Sequence, residues 1–211
     1  MIPGDGRGRV VVEAVAAGLL LVLLSPLLLL VALAVRLSGP GPVLFRQERL
    51  GAGRRPFTLV KFRTMAVDND DRIHREYVTA LLTCGTPPHG GEAGVYKLAA
   101  DPRITPVGAV LRRTSLDELP QLFNVLCGQM AFVGPRPVLA WEAELFPSWA
   151  GPRFDLRPGL TGLWQVRGRS ALSYEDALAL DVTYRSTRSL WLDLAILLRT
   201  PVALLDRRAA R

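Results

Sequence analysis

Residues 112–121 read RRTSLDELPQ and place two adjacent carboxylates, Asp117 and Glu118, at the start of a predicted amphipathic helix. Apolar side chains recur at helical spacing through residues 119–126, and a glycine soon afterwards is a stop signal. Pro120 fixes where this helix begins, because proline is tolerated only in the first turn, where its missing N–H would have no partner. We therefore predict that the helix begins near Asp117.

The carboxylate pair has two interpretations. In the first, Ser115 and Glu118 form a capping box and Asp117 complements the helix dipole. In the second, an ionised Asp117 with Arg112 close upstream is a nucleophile toward phosphorus, and both carboxylates are ligands for a divalent metal such as Mg²⁺. A box capped at Ser115 would place Pro120 beyond the first turn, which favours the second interpretation without excluding the first.

The N-terminal part of the chain carries one long apolar segment. Residues 10–35 are apolar apart from Glu13 and Ser25, which corresponds to roughly 39 Å of helix at ~1.5 Å per residue. Basic residues flank both ends, whereas a spanning helix shows the positive bias on one side only, and Ser25 with Pro26 interrupts the middle. Each half would be too short for a hydrocarbon core of ~30 Å. We predict a re-entrant helix–break–helix anchor over residues 1–38, with a kinked spanning helix as the alternative.

Length and charge bound the rest of the chain. With 211 residues and one apolar segment, the sequence allows one domain, residues 39–211, in addition to the anchor. The formal net charge is +7, but the arginines are dispersed and no zinc-finger spacing or RNA-recognition signature is present, so no nucleic-acid partner is expected. An anionic membrane surface and phosphorylated substrates explain the charge better, which makes membrane lipids an expected partner.

The pattern after the anchor is mixed. Two short strands around the turn at residues 51–53 predict a hairpin, residues 68–82 predict a helix, and residues 83–94, rich in glycine and proline, predict a mobile loop. Residues 190–198 predict an apolar helix that ends at the segment 199–201 and suits the membrane interface, with a buried core helix as the alternative. The expected fold is α/β and helix-dominated, with interfacial amphipathic helices.

Basic side chains are candidates for phosphate recognition, since a guanidinium fork matches phosphate oxygens. Lys61 and Arg63 occupy alternate positions of a predicted strand and so share a face, although a solvated face is an equal alternative. Arg112 stands just upstream of the carboxylates. Arg136 lies between two prolines that restrict its backbone. Arg157 begins an Arg-Pro-Gly segment, for which a turn before a strand is the alternative role.

Several ordered motifs make residues 40–200 resemble the bacterial sugar transferases, the small monotopic phosphoglycosyl transferases that begin surface-glycan assembly on a polyprenol carrier. The matching segments are KFRTM (61–65), DPRIT (101–105), LRRTSLDELPQ (111–121), FNVL (123–126), GPRP (134–137) and RPGLTGLWQ (157–165). Members of that family carry a Ser-Pro break in their membrane helix, so the resemblance favours the re-entrant anchor.

The resemblance implies a two-step transfer. Asp117 would attack the β-phosphorus of a UDP-sugar, release UMP and pass the sugar 1-phosphate to undecaprenyl or another polyprenyl phosphate, with Mg²⁺ held by Glu118 and Asp117. The substrate phosphates would be bound by basic residues: Lys61, Arg63, Arg112, Arg136 and Arg157.

The same resemblance implies a location and a pathway step. The protein would lie in the bacterial inner (cytoplasmic) membrane with its catalytic domain on the cytoplasmic face. Its product would begin an exopolysaccharide, capsule, O-antigen of lipopolysaccharide or glycoprotein glycan that downstream glycosyltransferases extend. The alternative from another class is a non-catalytic, basic, membrane-associated adaptor protein whose carboxylates only cap a helix.

Overall fold

Helices dominate the architecture, and two small sheets join its central segments. The structure is a computed structural model and describes residues 6–66, 75–76, 78–80, 103–168 and 172–205. The helices are α1 Arg7–Leu23, α2 Ser25–Leu37, α3 Pro106–Thr114, α4 Leu122–Leu126, α5 Ala140–Glu144, α6 Leu163–Arg167, α7 Tyr174–Thr187 and α8 Leu190–Leu205. The strands are β1 Leu44–Leu50, β2 Pro56–Phe62, β3 Ala131–Val133 and β4 Gly159–Thr161, and 3₁₀ segments cover Ala52–Arg54, Leu116–Gln121 and Ser148–Asp155. The predicted helix-dominated α/β class is confirmed.

The first sheet is the antiparallel hairpin of β1 and β2. Leu44 pairs with Phe62 at its open end, and Leu50 pairs with Pro56 next to the turn. Gly53 in the turn has φ 64°, a left-handed conformation that glycine adopts without a steric penalty. The predicted hairpin is confirmed, with strands longer than the apolar pattern alone indicated.

The second sheet pairs the short strands β3 and β4 in parallel, with Val133 opposite Thr161. The N–H of Gly159 donates to the carbonyl of Pro135 at 2.8 Å. A Cβ on Gly159 would collide with the backbone nitrogen of Gly134, so this close approach requires glycine. The sheet therefore fixes the Gly-Pro-Arg-Pro segment against the Arg-Pro-Gly segment.

The N-terminal helices α1 and α2 meet at Leu24 and are bent by 65° relative to each other. Pro26 lies in the first turn of α2, where its missing N–H leaves no helical bond unmade, and the Ser25 hydroxyl donates to the carbonyl of Val22 at 2.8 Å. Among the described residues, neither helix alone is long and apolar enough to cross a membrane. The bent pair passes that test jointly, by length and composition.

One side of the α1–α2 pair packs on the rest of the protein. α1 contributes Ala17 and Leu21 to a core with residues of α4, and α2 contributes Val31 and Val35 to a core with Phe62 of β2 and residues of α3. The other side remains apolar and exposed, at Val12, Leu19, Val22, Leu29, Leu30 and Leu33 among others. A surface of this kind is stable in contact with lipid rather than water.

Helix α8 has two unlike faces. Asp193 and Ile196 are buried, whereas apolar side chains that recur at helical spacing are exposed: Leu190, Trp191, Leu194, Leu197, Leu198 and Val202. The helix also continues through Pro201 to Leu205, which corrects the predicted end at Pro201. The Thr200 hydroxyl donates to the carbonyl of Ile196 at 2.8 Å, so a side chain supports the turn just before the proline.

Five polar side chains form a largely buried cluster where α1 meets the body, and we call it the anchor cluster: Arg9, Glu13, Arg157, Tyr184 and Asp193. The Glu13 carboxylate accepts hydrogen bonds from Arg157 and from Arg9, the latter at 3.1 Å. Arg9 also forms an ion pair with Asp193 at 2.7 Å, and the Tyr184 hydroxyl donates a hydrogen bond to the Asp193 carboxylate. The acid that interrupts the apolar pattern of α1 is therefore paired.

Two sequence predictions concern segments that lie largely outside the described residues. Within the predicted helix over 68–82, residues 75–76 and 78–80 are helical. The remainder of that segment and the predicted loop 83–94 lie outside the described residues.

Candidate active site

Asp117 and Glu118 lie in a 3₁₀ segment, Leu116–Gln121, that runs directly into α4. This corrects the prediction of one amphipathic α-helix from Asp117. The reason is Pro120, which has no N–H to donate and whose ring would clash with the carbonyl four residues earlier in an α-helix. The regular helix consequently begins only at Leu122.

The capping box, the first of the two interpretations of the carboxylate pair, is not formed. Ser115 adopts φ 55° and its side chain makes no capping hydrogen bond. The N–H of Glu118 instead donates to the main-chain carbonyl of Ser115 at 3.2 Å. The capping interpretation of the carboxylate pair therefore has no support in the local geometry.

Asn124 fastens the carboxylate-bearing turn to strand β2. Its amide nitrogen donates to the carbonyl of Thr58 at 2.7 Å, and its side-chain oxygen accepts the N–H of Val60 at 3.2 Å. Asn124 is almost fully buried, and β2 carries Lys61 one residue beyond Val60. This contact explains how Lys61 comes to act on Asp117. Asn124 was missed as a functional residue, although a lone amide in an apolar helix was the available signal.

Asp117 is buried, with 7% of its surface exposed. Desolvation raises the pKa of its carboxyl to about 6, and the negative charge of Glu118 adds to that rise. The charges of Lys61 and Arg112 act in the opposite direction and favour the ionised form. Asp117 is therefore a carboxylate at neutral pH, weakly solvated and close to two cations, which is the state of a usable nucleophile.

Lys61 is the cation that acts most strongly on Asp117. Burial lowers the pKa of the Lys61 ammonium to about 8, and the charge of Arg49 lowers it further, while Asp117 opposes the shift. The Lys61 Nζ atom lies 5.3 Å from the centre of the Phe45 ring. Lys61 thus remains protonated at neutral pH beside the carboxylates.

The donor set at this turn fits a hard divalent cation. Asp117 and Glu118 offer carboxylate oxygens, and one or two carboxylates with substrate phosphates make up a typical Mg²⁺ site. Among the described residues, no group of three or more histidine, cysteine, aspartate or glutamate side chains could hold a metal by itself. The metal would therefore depend on the phosphates of a bound substrate to complete its ligands.

Arg63 is placed away from the carboxylates. Its guanidinium donates to the carbonyls of Val35 at 3.1 Å, of Gly39 at 2.8 Å and of Pro40, where α2 ends. Val35 lies in the last turn of α2, so its carbonyl belongs to the negative end of the helix dipole, which a cation stabilises, whereas Gly39 and Pro40 follow the helix. Three hydrogen bonds direct the Arg63 guanidinium toward the end of the anchor. Its role in binding phosphate on a face shared with Lys61 stays a prediction.

Arg157 is likewise placed in the interior. It is 1% exposed, pairs with Glu13 and donates to the carbonyl of Met130 at 2.9 Å. Its guanidinium belongs to the anchor cluster and joins α1 to the β3–β4 sheet, and its contact with a substrate phosphate stays a prediction.

Arg136 is exposed and forms a separate part of the site. Its guanidinium lies 6.0 Å from the centre of the Trp164 ring, and the charges that act most strongly on Asp117 come from other residues. Arg49 connects the two parts, since it donates to the carbonyl of Pro137 at 3.4 Å and its charge also lowers the Lys61 pKa. Arg136 therefore extends from a loop that Arg49 links to the Lys61 side of the site.

Adjacent carboxylates with nearby cations define a site suited to a phosphorylated ligand and a hard metal ion. Comparison with known proteins places this site in a family. The model of the family described as bacterial sugar transferase matches residues 7–207, and the chain belongs to that family.

Three relatives illustrate the match. Exopolysaccharide production protein ExoY of Rhizobium meliloti is 41% identical over 206 residues, covering 97% of this chain and 89% of the relative. The UDP-glucose:undecaprenyl-phosphate glucose-1-phosphate transferase of Caulobacter vibrioides is 43% identical over 210 residues, covering 95% and 70%. The undecaprenyl-phosphate galactose phosphotransferase of Salmonella typhimurium is 37% identical over 198 residues, which is 94% of this chain but 40% of that longer protein.

Proposed function

We propose that this protein is a phosphoglycosyl transferase that moves a sugar 1-phosphate from a UDP-sugar to undecaprenyl phosphate through a covalent intermediate on Asp117. The names of the relatives in Caulobacter and Salmonella support the two substrates. The name of the Rhizobium relative supports exopolysaccharide as the product pathway. Family membership supports the general class of sugar transferase.

The observation that carries the mechanism is the environment of Asp117. The side chain is buried, its pKa is raised to about 6, and it lies beside Glu118, Lys61 and Arg112 without capping a helix. An adaptor protein would have no use for a desolvated carboxylate, because burying a charge costs several kcal/mol unless it is compensated. A nucleophile gains from the same desolvation, since fewer water molecules must leave before attack.

In the first half-reaction, a carboxylate oxygen of Asp117 forms a bond to the β-phosphorus of the UDP-sugar. The bond between that phosphorus and the bridging oxygen breaks, and UMP leaves with the oxygen and its electron pair. Lys61 and Arg112 stabilise the charge that develops on the phosphoryl oxygens. The product is an aspartyl sugar-phosphate on the enzyme and free UMP.

In the second half-reaction, a phosphate oxygen of undecaprenyl phosphate forms a bond to the same phosphorus. The aspartyl oxygen–phosphorus bond breaks, which regenerates the Asp117 carboxylate and leaves the sugar on undecaprenyl diphosphate. The exposed apolar faces of α1, α2 and α8 support a position in the bacterial inner membrane, where the lipid substrate resides. We place the site on the cytoplasmic face, where nucleotide sugars are available, and α1 with α2 as a re-entrant anchor.

The proposed reaction also uses Mg²⁺. Glu118 and Asp117 would hold the ion together with the substrate diphosphate, and the ion would neutralise charge on the phosphate oxygens. Arg136 would contact a more distant part of the UDP-sugar. Downstream glycosyltransferases would then extend the lipid-linked sugar.

The test is the identity of the released nucleotide. The purified protein, in detergent with undecaprenyl phosphate and Mg²⁺, is incubated with a panel of UDP-sugars, and the nucleotides are separated by chromatography. The proposal predicts UMP from at least one UDP-sugar. Release of UDP or of free sugar, or no reaction with any member of the panel, would contradict it.

A further inference from the structure

The loop that carries Arg136 is held by an unusual run of main-chain contacts. Three successive carbonyls each accept a hydrogen bond from a different segment: Pro135 from Gly159 at 2.8 Å, Arg136 from Arg153 at 2.7 Å, and Pro137 from Arg49 at 3.4 Å. The next carbonyl, of Val138, accepts the N–H of Leu50 at 2.8 Å. The backbone is fixed along its length, while the Arg136 side chain remains exposed.

One of the donors to this loop, Arg153, is a charged side chain that is itself buried. It is 2% exposed, and its guanidinium lies 5.3 Å and 5.2 Å from the centres of the Phe146 and Phe154 rings. Two of its nitrogens donate to one Asp181 oxygen, at 3.1 Å and 2.7 Å. The fork geometry leaves one donor direction for the Arg136 carbonyl.

Asp181 is equally enclosed, at 3% exposure on α7. Its desolvation raises the pKa of the carboxyl, whereas Arg153 and both the backbone and the charge of Arg136 favour its ionised form. The Asp181 carboxylate therefore interacts with both Arg153 and Arg136. A buried ion pair is a weak source of net stability, so its presence calls for another explanation.

We infer that Arg153 and Asp181 are positioning residues that hold the Arg136 loop so that the Arg136 guanidinium is presented to the UDP-sugar. Neither residue touches the substrate in this arrangement; both act through Arg136. The role of Arg136 in binding the UDP-sugar rests on the proposed function. The contacts that Arg153 and Asp181 make with the Arg136 loop, which we call the clamp, are a property of the fold and can be measured without any substrate.

The chain contains a matched control. Arg185 and Asp155 form an ion pair at 2.9 Å that joins the same two elements, the 3₁₀ segment Ser148–Asp155 and α7, but both side chains are about half exposed. The Arg185 pair makes no contact with the Arg136 loop among the described hydrogen bonds. Arg185→Lys and Asp155→Asn therefore weaken a link between these elements without changing the contacts of Arg153 and Asp181 with the Arg136 loop.

The first measurement is hydrogen–deuterium exchange of the Arg136 amide, and of the Leu50 amide that donates to the Val138 carbonyl, in the detergent-purified protein without substrate. Arg153→Lys removes the guanidinium that donates to the Arg136 carbonyl, and Asp181→Asn removes the carboxylate that holds this guanidinium in place. Each substitution should therefore speed exchange at these amides at least about tenfold. Arg185→Lys and Asp155→Asn should leave it unchanged. Unchanged exchange in Asp181→Asn and Arg153→Lys would overturn the clamp.

The second measurement is a double-mutant cycle on UMP release. Asp181→Asn should raise KM for the UDP-sugar at least about tenfold in the wild-type background, since misplacing a positioned group by about 1 Å costs up to about 100-fold. In the Arg136→Ala background the same substitution should have no further effect. Fully additive effects would overturn the inference, because Asp181 would then act independently of Arg136.

The two measurements separate the possible failures. If the wild type releases no UMP from any UDP-sugar, the proposed function fails while the exchange data still decide whether the clamp exists. If UMP is released and exchange changes but the kinetic effects are additive, the positioning role alone is wrong.

Discussion

Glu13 and Arg157 are 144 residues apart in the sequence and form a buried ion pair, in which an acid from the N-terminal helix meets an arginine at the edge of the β3–β4 sheet. The pair belongs to a cluster that also includes Arg9, Tyr184 and Asp193. The apolar helix α1 is therefore fixed to the body by charge as well as by apolar packing. Its orientation relative to the catalytic turn is set by specific partners.

This pair gives a prediction on stability. Glu13→Gln should destabilise the detergent-solubilised protein by about 3 kcal/mol, because Arg157 would be left buried with its ionic partner removed. Glu48→Gln, on the exposed surface of β1, is the matched control and should change stability by less than about 0.5 kcal/mol. Denaturant unfolding followed by tryptophan fluorescence measures both. Equal unfolding midpoints for wild type and Glu13→Gln would show that the pair contributes nothing.

The pH dependence of activity follows from two shifted groups. Burial and Glu118 raise the Asp117 pKa to about 6, and attack requires the ionised form, so kcat/KM should fall about tenfold per unit as the pH drops below about 6. Burial lowers the Lys61 pKa to about 8, so a second decline is expected above about 8 as Lys61 loses its proton. Lys61→Met should abolish the basic decline and move the acidic one to higher pH. A flat profile in wild type between about pH 5 and 7 would exclude Asp117 as a nucleophile with this pKa.

Metal dependence is the third expectation. A chelator should abolish UMP release and Mg²⁺ should restore it, since the carboxylate oxygens and substrate phosphates prefer a hard cation. Glu118→Gln should be severely impaired and should require more Mg²⁺ for half-maximal activity. Glu144→Gln, on the exposed side of α5, should behave as wild type. Full turnover in excess chelator would remove Glu118 from its proposed role.

The anchor gives the fourth prediction. Pro26→Ala should favour one continuous helix through α1 and α2 and move the segment toward a spanning orientation, because an alanine could donate its N–H to the Val22 carbonyl and lacks the proline ring that opposes a straight helix. Pro42→Ala, in the exposed linker before β1, is the control. Single cysteines introduced by Gly8→Cys and Ser38→Cys, with Cys84 and Cys127 replaced by serine, report sidedness through an impermeant maleimide. In the wild-type background, impermeant maleimide added at the outer face of the membrane should label neither cysteine. Labelling of only one of the two cysteines would contradict the re-entrant anchor.

Local patterns explain which parts of the fold could be predicted. The β1–β2 hairpin and the helix-dominated class follow from short-range apolar spacing and from turn residues, and the structure confirms both. The 3₁₀ conformation at Asp117 could also have been read from Pro120, because a proline four residues after Leu116 excludes an α-helical bond to that carbonyl. The segment through Pro201 shows the opposite case, in which the helix continues past the proline.

Long-range partners explain what the sequence could not show. An arginine next to a motif can bind a phosphate or a set of carbonyls, and only the folded chain shows that Arg63 caps α2 and that Arg157 pairs with Glu13. Arg153 and Asp181 were not assigned a role for the same reason. Their partner is the backbone of Arg136, and a main-chain carbonyl has no signature in the sequence.

The central claim is that Asp117 carries the sugar phosphate, and the most direct test is a single-turnover experiment without a lipid acceptor. Wild-type protein with UDP-sugar and Mg²⁺ should release UMP in at most about one equivalent per enzyme and gain the mass of a sugar phosphate on the peptide containing Asp117. Asp117→Asn should remain folded and show neither. If UMP appears only when undecaprenyl phosphate is present and no adduct can be trapped, the transfer is direct and Asp117 is not the nucleophile.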